Sequence, residues 1–300
     1  VTFTDRVGTP LSADVYVPAD LPAGATAPAL AVGHPYGGVK EQTAGLYAQT
    51  LAERGFVTVA WDAPYQGESG GTPHFTSSPS ALVESFSAAV DHLSTHPQVD
   101  PERIGVIGIC GGGGWSLAAA QLDPRMKAVA TVVMYDIGRS RRDGLDDTLS
   151  DAERREQLAQ SVRQRTAEAQ GAPVAHIRGV PEQLPADADA VTREFFDYYQ
   201  TPRGHHPRAT TQVTVTSFGD VTSSFPTDHL DWISPRPVLF VAGENAHSRY
   251  FSQDAYDLAS EPKQLHVVPG AGHVDLYDRV DLIPWDELQT FFSRHLGTAG

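Results

Sequence analysis

Cys110 is the only cysteine in the 300-residue chain. It lies in the stretch RIGVIGICGGGGWSLAAAQ, Arg103 to Gln121. The β-branched run Ile104 to Ile109 predicts a buried strand, and Trp115 to Gln121 predicts a helix. Gly108 stands two residues before the thiol and Gly112 two after it. This is the spacing of a nucleophile elbow, G-x-nucleophile-x-G, with cysteine at its centre. A strand that turns directly into a helix strains the nucleophile's backbone, and side chains two residues away on either side would collide. The helix N-terminus aims free N–H groups at the thiol, which favours a thiolate and a developing oxyanion. Gly111 supplies one such N–H. The alternatives are weaker. A lone cysteine is often a core residue. The glycines, however, lack the lysine of a phosphate loop and the G-x-G-x-x-G spacing of a dinucleotide loop.

A thiol nucleophile needs a base. His273, one of twelve histidines, follows the last expected strand in the loop Pro269-Gly270-Ala271-Gly272-His273. A thiolate–imidazolium pair of Cys110 and His273 is expected, with the imidazole later protonating the leaving group. The acid that orients His273 is open between two residues. Asp136 ends the strand after the elbow helix, and Glu244 is the carboxylate nearest the strand that ends at Gly243. The spacing favours Asp136 slightly. A second oxyanion N–H is expected from Tyr36, because Pro35 has none.

Other elements must position these residues. Val1 to Pro18 reads as two short antiparallel strands. Ala29 to Gly33 and Phe56 to Trp61 read as buried strands, with helices over Gln42 to Arg54 and Ser80 to Thr95. Asp62 is read as organising the loop that follows. Ala128 to Met134, Pro237 to Ala242 and Gln264 to Val268 continue the strand series, with helices over Arg249 to Ala259 and Trp285 to Leu296. Strands alternating with helices predict a doubly wound, mostly parallel α/β sheet. From Ile137 to Ser234 the alternation is lost. This segment, residues 137–234, is read as a mainly helical lid inserted into a core of residues 1–136 and 235–300. Helices are expected over Asp146 to Gln170 and Pro181 to Gln200. The aromatics ending the second one, Tyr199 among them, either line an acyl pocket or form the lid's own core. Arg203, His205 and His206 are candidates for substrate contact. The two histidines lack partners at metal-ligand spacing, so neither a metal nor a cofactor is expected.

Composition narrows the partners. The formal charge is −15, from 22 basic and 37 acidic residues, which argues against nucleic acid and anionic membranes. One cysteine excludes an internal disulfide. No apolar run is long enough to span a bilayer, and no signal-like segment is seen, so a cytoplasmic location is the default reading. A small acyl compound is the expected partner, and a homodimer is allowed for.

With these residues in hand, the chain resembles the dienelactone-hydrolase-related α/β-hydrolases, in a bacterial branch with polyketide-transferase-like relatives in fungi. The matching segments are GHPYGGVKEQ (33–42), WDAPYQGESGG (61–71), RIGVIGICGGGG (103–114), VVMYDIGR (132–139), FFDYYQTPRGHHPR (195–208), GENAHSRYFSQDAY (243–256) and VVPGAGHVDLYDR (267–279). The resemblance implies an α/β-hydrolase fold and a covalent acyl-enzyme. It departs at Ala246 and His247, where an acid is usual. The expected activity is cleavage of an ester, lactone or thioester through Cys110. One alternative is an acyltransferase or cyclase that passes the acyl group to an alcohol or amine in natural-product biosynthesis. Another is a non-catalytic or lyase-type scaffold that binds a small molecule. A thiol redox sensor is a third.

Overall fold

The computed structural model describes residues 1–297. Its main sheet starts with β1 (Thr2–Thr4), β2 (Pro10–Tyr16), β3 (Ala27–Gly33), β4 (Val57–Trp61), β5 (Val99–Ile109) and β6 (Met126–Val132). The helices between them are α1 (Thr43–Ala52), α2 (Pro79–Ser94) and α3 (Gly111–Leu122). Beyond β6 the chain leaves this sheet and forms α4 (Ile137–Asp143), α5 (Asp151–Ala169), β7 (His176–Arg178), α6 (Ala190–Tyr199), β8 (Gln212–Thr214) and α7 (Ser217–Thr222). It returns as β9 (Val238–Gly243), α8 (Arg249–Leu258), β10 (Lys263–Val268), α9 (Asp275–Asp278) and α10 (Trp285–Leu296). The order across the main sheet is β1-β2-β4-β3-β5-β6-β9-β10. β1, β2 and β4 pair antiparallel, and from β4 to β10 every pairing is parallel.

Every residue of β3, β4 and β9 is buried, as a parallel sheet covered on both faces requires. Alternation along β5 shows the two layers. A Cβ at Gly105 would meet Phe292 of α10, whereas one at Gly108 would meet Gly112 and Ser116 of α3. Helices therefore cover both faces. This is the doubly wound sheet expected from the alternation of strands and helices.

Two expectations change in detail. Helix α3 starts at Gly111, so the glycine cluster is its first turn rather than a loop before it. Glycine is a poor helix former, and hydrophobic periodicity cannot place a helix start there. Between β6 and β9, α6 begins only at Ala190, where Asp189 caps the Thr192 amide, and not at Pro181. The same segment holds the antiparallel pair β7 and β8, each three residues long and too short for a period to show. Helix α5 has Ser161 as its one buried residue and is held by a capping box between Ser150 and Glu153.

Candidate active site

Cys110 caps the turn from β5 into α3 with φ +54° and ψ −122°, a conformation that costs a non-glycine residue of order 1–3 kcal/mol. The surroundings hold it there. The Cys110 amide donates to Val132 (2.9 Å), and its carbonyl accepts from Tyr135 (2.9 Å) and Gly113 (2.8 Å). The flanking glycines are needed for space. A Cβ on Gly108 would lie 2.2 Å from the Gly112 carbonyl oxygen, and one on Gly112 would lie 2.7 Å from that of His34.

The backbone N–H groups of Gly111 and Tyr36 lie close to the Cys110 sulfur and favour its charged form. They belong to the two residues named from the sequence as oxyanion donors, and here they face the sulfur. His34 fixes the second one. It is buried; its Nε2 accepts from the Ala63 amide (3.0 Å), so its proton sits on Nδ1, which donates to the Pro35 carbonyl (2.7 Å). Burial also lowers the His34 pKa and keeps the ring neutral. The loop after β4 is clamped in turn by buried Asp62, which accepts from the Lys40 amide (2.8 Å), the Glu68 amide (2.8 Å) and Lys40 Nζ (3.2 Å).

His273 is fully buried, and its two ring nitrogens are bonded to groups other than the thiol. Its Nε2 bonds the Tyr277 hydroxyl at 3.0 Å, and that hydroxyl also lies beside the Cys110 thiol, whose charged form it favours. Its Nδ1 bonds Ser248 Oγ at 2.5 Å. The chain of contacts is Cys110–Tyr277–His273–Ser248. Sequence reasoning missed Tyr277 and Ser248. Tyr277 lies four residues after His273, one helical turn on. Ser248 follows His247 in the loop after β9, one residue beyond the position searched for an acid.

Neither acid proposed from the sequence bonds His273. Asp136 is the N-cap of α4, and its Oδ1 accepts from the Arg139 amide at 2.7 Å. A strand end followed directly by a helix is a capping position, and this is what the carboxylate does. Glu244 is exposed and accepts from the Gly270 amide at 2.8 Å. Asp136→Ala is accordingly expected to lower stability by about 1 kcal/mol through the lost cap and to leave acyl-adduct formation by Cys110 within a few-fold. Loss of adduct formation in a folded D136A protein would restore Asp136 as the orienting acid.

Electrostatics also differ from the expected ion pair. Burial pushes the Cys110 thiol up to about 11, against the lowering effect of Tyr277, Gly111 and Tyr36. Burial lowers the His273 pKa well below its usual value, and the neighbouring His247 lowers it further. Both groups are neutral at pH 7. The expected thiolate–imidazolium pair is not formed, because both groups are buried and the Nε2 of His273 is engaged by Tyr277. Alkylation of Cys110 by iodoacetamide should rise about tenfold per pH unit from pH 7 to 10, since only the thiolate reacts. A plateau near pH 8 would instead indicate an ion pair with a thiol of ordinary or lowered pKa.

Above Cys110 lies a cavity of about 310 Å³. Tyr36, Tyr135, Ile137 and Tyr277 wall one side, and Val191, Thr192, Phe195 and Tyr199 of α6 another. The helical spacing puts these α6 residues on one stripe. Tyr199 and Phe195 therefore line the cavity, whereas Tyr198 bonds Thr43 Oγ1 (3.0 Å) and packs on Tyr277. Arg203 and His206, candidates for substrate contact, line a separate cavity of about 260 Å³. Arg203 forks onto Asp278 (2.8 and 2.7 Å) and reaches Asp197 (2.9 Å), tying the loop after α6 to α9, which carries Tyr277. Among the described residues no cluster of histidine, cysteine and carboxylates has the makings of a metal site, and no helix is long and apolar enough to cross a membrane.

Comparison with known proteins gives the family and the fold. Residues 7–170 match the family described as X-Pro dipeptidyl-peptidase (S15 family). The chain is 48% identical to uncharacterized protein PA2218 of Pseudomonas aeruginosa, over 99% of this chain and 80% of that one. The crystal structure of that protein superposes with a TM-score of 0.95, covering 99% of this chain and 92% of the other. It is 38% identical to uncharacterized protein YcjY of Escherichia coli, over 89% and 88% of the two chains. A thiohydrolase of Eupenicillium brefeldianum is 25% identical over 90% and 87%, and fungal acyltransferases and polyketide transferases match at 24–28%. Solved α/β hydrolases share the fold at lower identity. By sequence match and by architecture, the chain belongs to the S15 family of α/β-hydrolase-type enzymes.

Proposed function

We propose that the protein transfers acyl groups through a Cys110 thioester, acting as a hydrolase on esters, lactones or thioesters. The observation that carries this is the contact chain Cys110–Tyr277–His273–Ser248, with two backbone N–H groups on the sulfur. Cys110 attacks the substrate carbonyl. Its proton passes to the Tyr277 oxygen as the Tyr277 proton passes to His273 Nε2. Ser248 holds the Nδ1–H of the imidazolium that forms. A carbon–sulfur bond forms, the bond to the leaving group breaks, and the proton returns to that group by the same path. The N–H groups of Gly111 and Tyr36 hold the oxyanion, a contribution of about 3–4 kcal/mol per donor. Water then cleaves the thioester in the hydrolase. An alcohol or amine takes the acyl group in the transferase alternative.

A cysteine in the elbow suits the resemblance to dienelactone-hydrolase-related enzymes, and the fungal thiohydrolase and polyketide-transferase relatives support acyl chemistry on thioesters. The segment 137–234 serves as a lid whose α6 closes the acyl pocket and limits water. A second reading, a non-catalytic or lyase-type scaffold, draws on one observation. No carboxylate bonds His273 among the described residues.

The test is intact mass after mixing the protein with short acyl thioesters and activated esters. An acyl adduct on the chain is expected, brief for a hydrolase and persistent without an acceptor for a transferase. No adduct and no turnover with any donor would favour the scaffold.

A further inference from the structure

The cavity above Cys110 has one charged residue in its wall, Arg141, and no carboxylate. Arg141 lies on α4 and is half-buried. Its neighbours on that helix are satisfied. Arg139 forks onto Asp147 and reaches Asp254, and Arg142 donates to the carbonyls of Thr222 and Ser224 and covers the Phe225 ring. Arg141 has no hydrogen bond or ion pair to any described residue. Its charge is felt instead by the hydroxyls of Tyr36 and Tyr135, both lowered by it against the raising effect of burial. A guanidinium held partly out of water without a carboxylate is costly, and its planar fork matches one bidentately.

We infer that Arg141 is a recognition site for an anionic group on the acyl substrate, so that the preferred donors are short acyl thioesters or esters whose far end carries a carboxylate. This rests on the acyl-enzyme reading of Cys110. The volume of about 310 Å³ is at the lower end for small-molecule sites and suits a short chain or single ring rather than a fatty acyl group. The overall charge of −15 repels anions, so a preference for them has to come from a local cation.

The experiment compares N-acetylcysteamine thioesters of succinic, glutaric and adipic acids with the same compounds capped as methyl esters. The native protein should favour the free acid at the best length by about 10–100-fold in kcat/KM. That ratio should fall to about 1 in Arg141→Gln and be partly kept in Arg141→Lys. A ratio near 1 in the native protein, or one unchanged in R141Q, overturns the assignment. If no donor of either kind acylates the chain, the acyl-enzyme reading fails, and the assignment is still read by calorimetry. Monomethyl adipate should then bind Cys110→Ala at least tenfold more tightly than dimethyl adipate, with the difference lost when R141Q is added. Equal binding of the two overturns it.

Discussion

Cys110→Ala is expected to abolish the acyl adduct and to lower turnover of thioesters by about 10⁴-fold or more. Removing a covalent nucleophile removes the step itself, and only the oxyanion donors and binding remain to act on direct attack by water. The variant should fold, because alanine preserves the apolar character of the site and removes only one sulfur from a position 5% exposed. The strained backbone at φ +54° is held by its neighbours and does not depend on the sulfur. The measurement is intact mass together with steady-state rates on one donor. A C110A protein with rates within tenfold of native would show that the carbonyl is attacked by something other than the thiol.

The second large effect is at Tyr277. Tyr277→Phe should lower kcat, and the rate of adduct formation with it, by about 10²–10³-fold, while KM changes little. The hydroxyl bonds His273 Nε2 and lies beside the thiol, and burial raises its pKa well above 10, so it passes a proton without itself ionising. Phenylalanine keeps the ring against Tyr198, 5.2 Å away, so the packing of α9 is preserved and the loss is confined to the relay. Native or faster rates in Y277F would give the residue a different role: a plug that moves aside to let His273 reach the sulfur directly. The acid limb of the native kcat/KM profile provides a further mark. Because the His273 pKa is lowered, activity should stay flat as pH falls through 6.5 and decline only below it, where the ring takes a proton and can no longer accept one from Tyr277.

The elbow was legible because it is local. Strand, turn and helix follow one another within twenty residues, and the collisions that demand Gly108 and Gly112 involve the turn itself and the adjacent end of β3. The sheet was legible for a related reason: buried parallel strands are unbroken apolar runs. The backbone N–H groups of Gly111 and Tyr36 beside the thiol were legible because a backbone N–H depends on position in the chain and not on side-chain type. The acid was misread because Asp136 and Glu244 are carboxylates at strand ends, and a strand end serves equally well for capping a helix or pinning a turn. Arg203 and His206 were misplaced for want of distance. Their neighbours in the chain, Phe195 and Tyr199, do reach the Cys110 cavity, but Arg203 turns to Asp278 across a contact 75 residues away.

Sequence alone thus determined the layered sheet and the strand–turn–helix at Cys110, and it singled out Cys110 and His273 as the pair to propose, since each is written in short-range pattern. Tertiary structure decided what lies between them. Tyr277 reaches His273 from α9, which Arg203 ties to the loop after α6, and Ser248 takes the other side of the imidazole because the loop after β9 folds against the loop after β10. It also decided the protonation states. Whether a thiol and an imidazole form an ion pair depends on how much water the surrounding chain excludes, and that is a sum over residues far apart in the sequence.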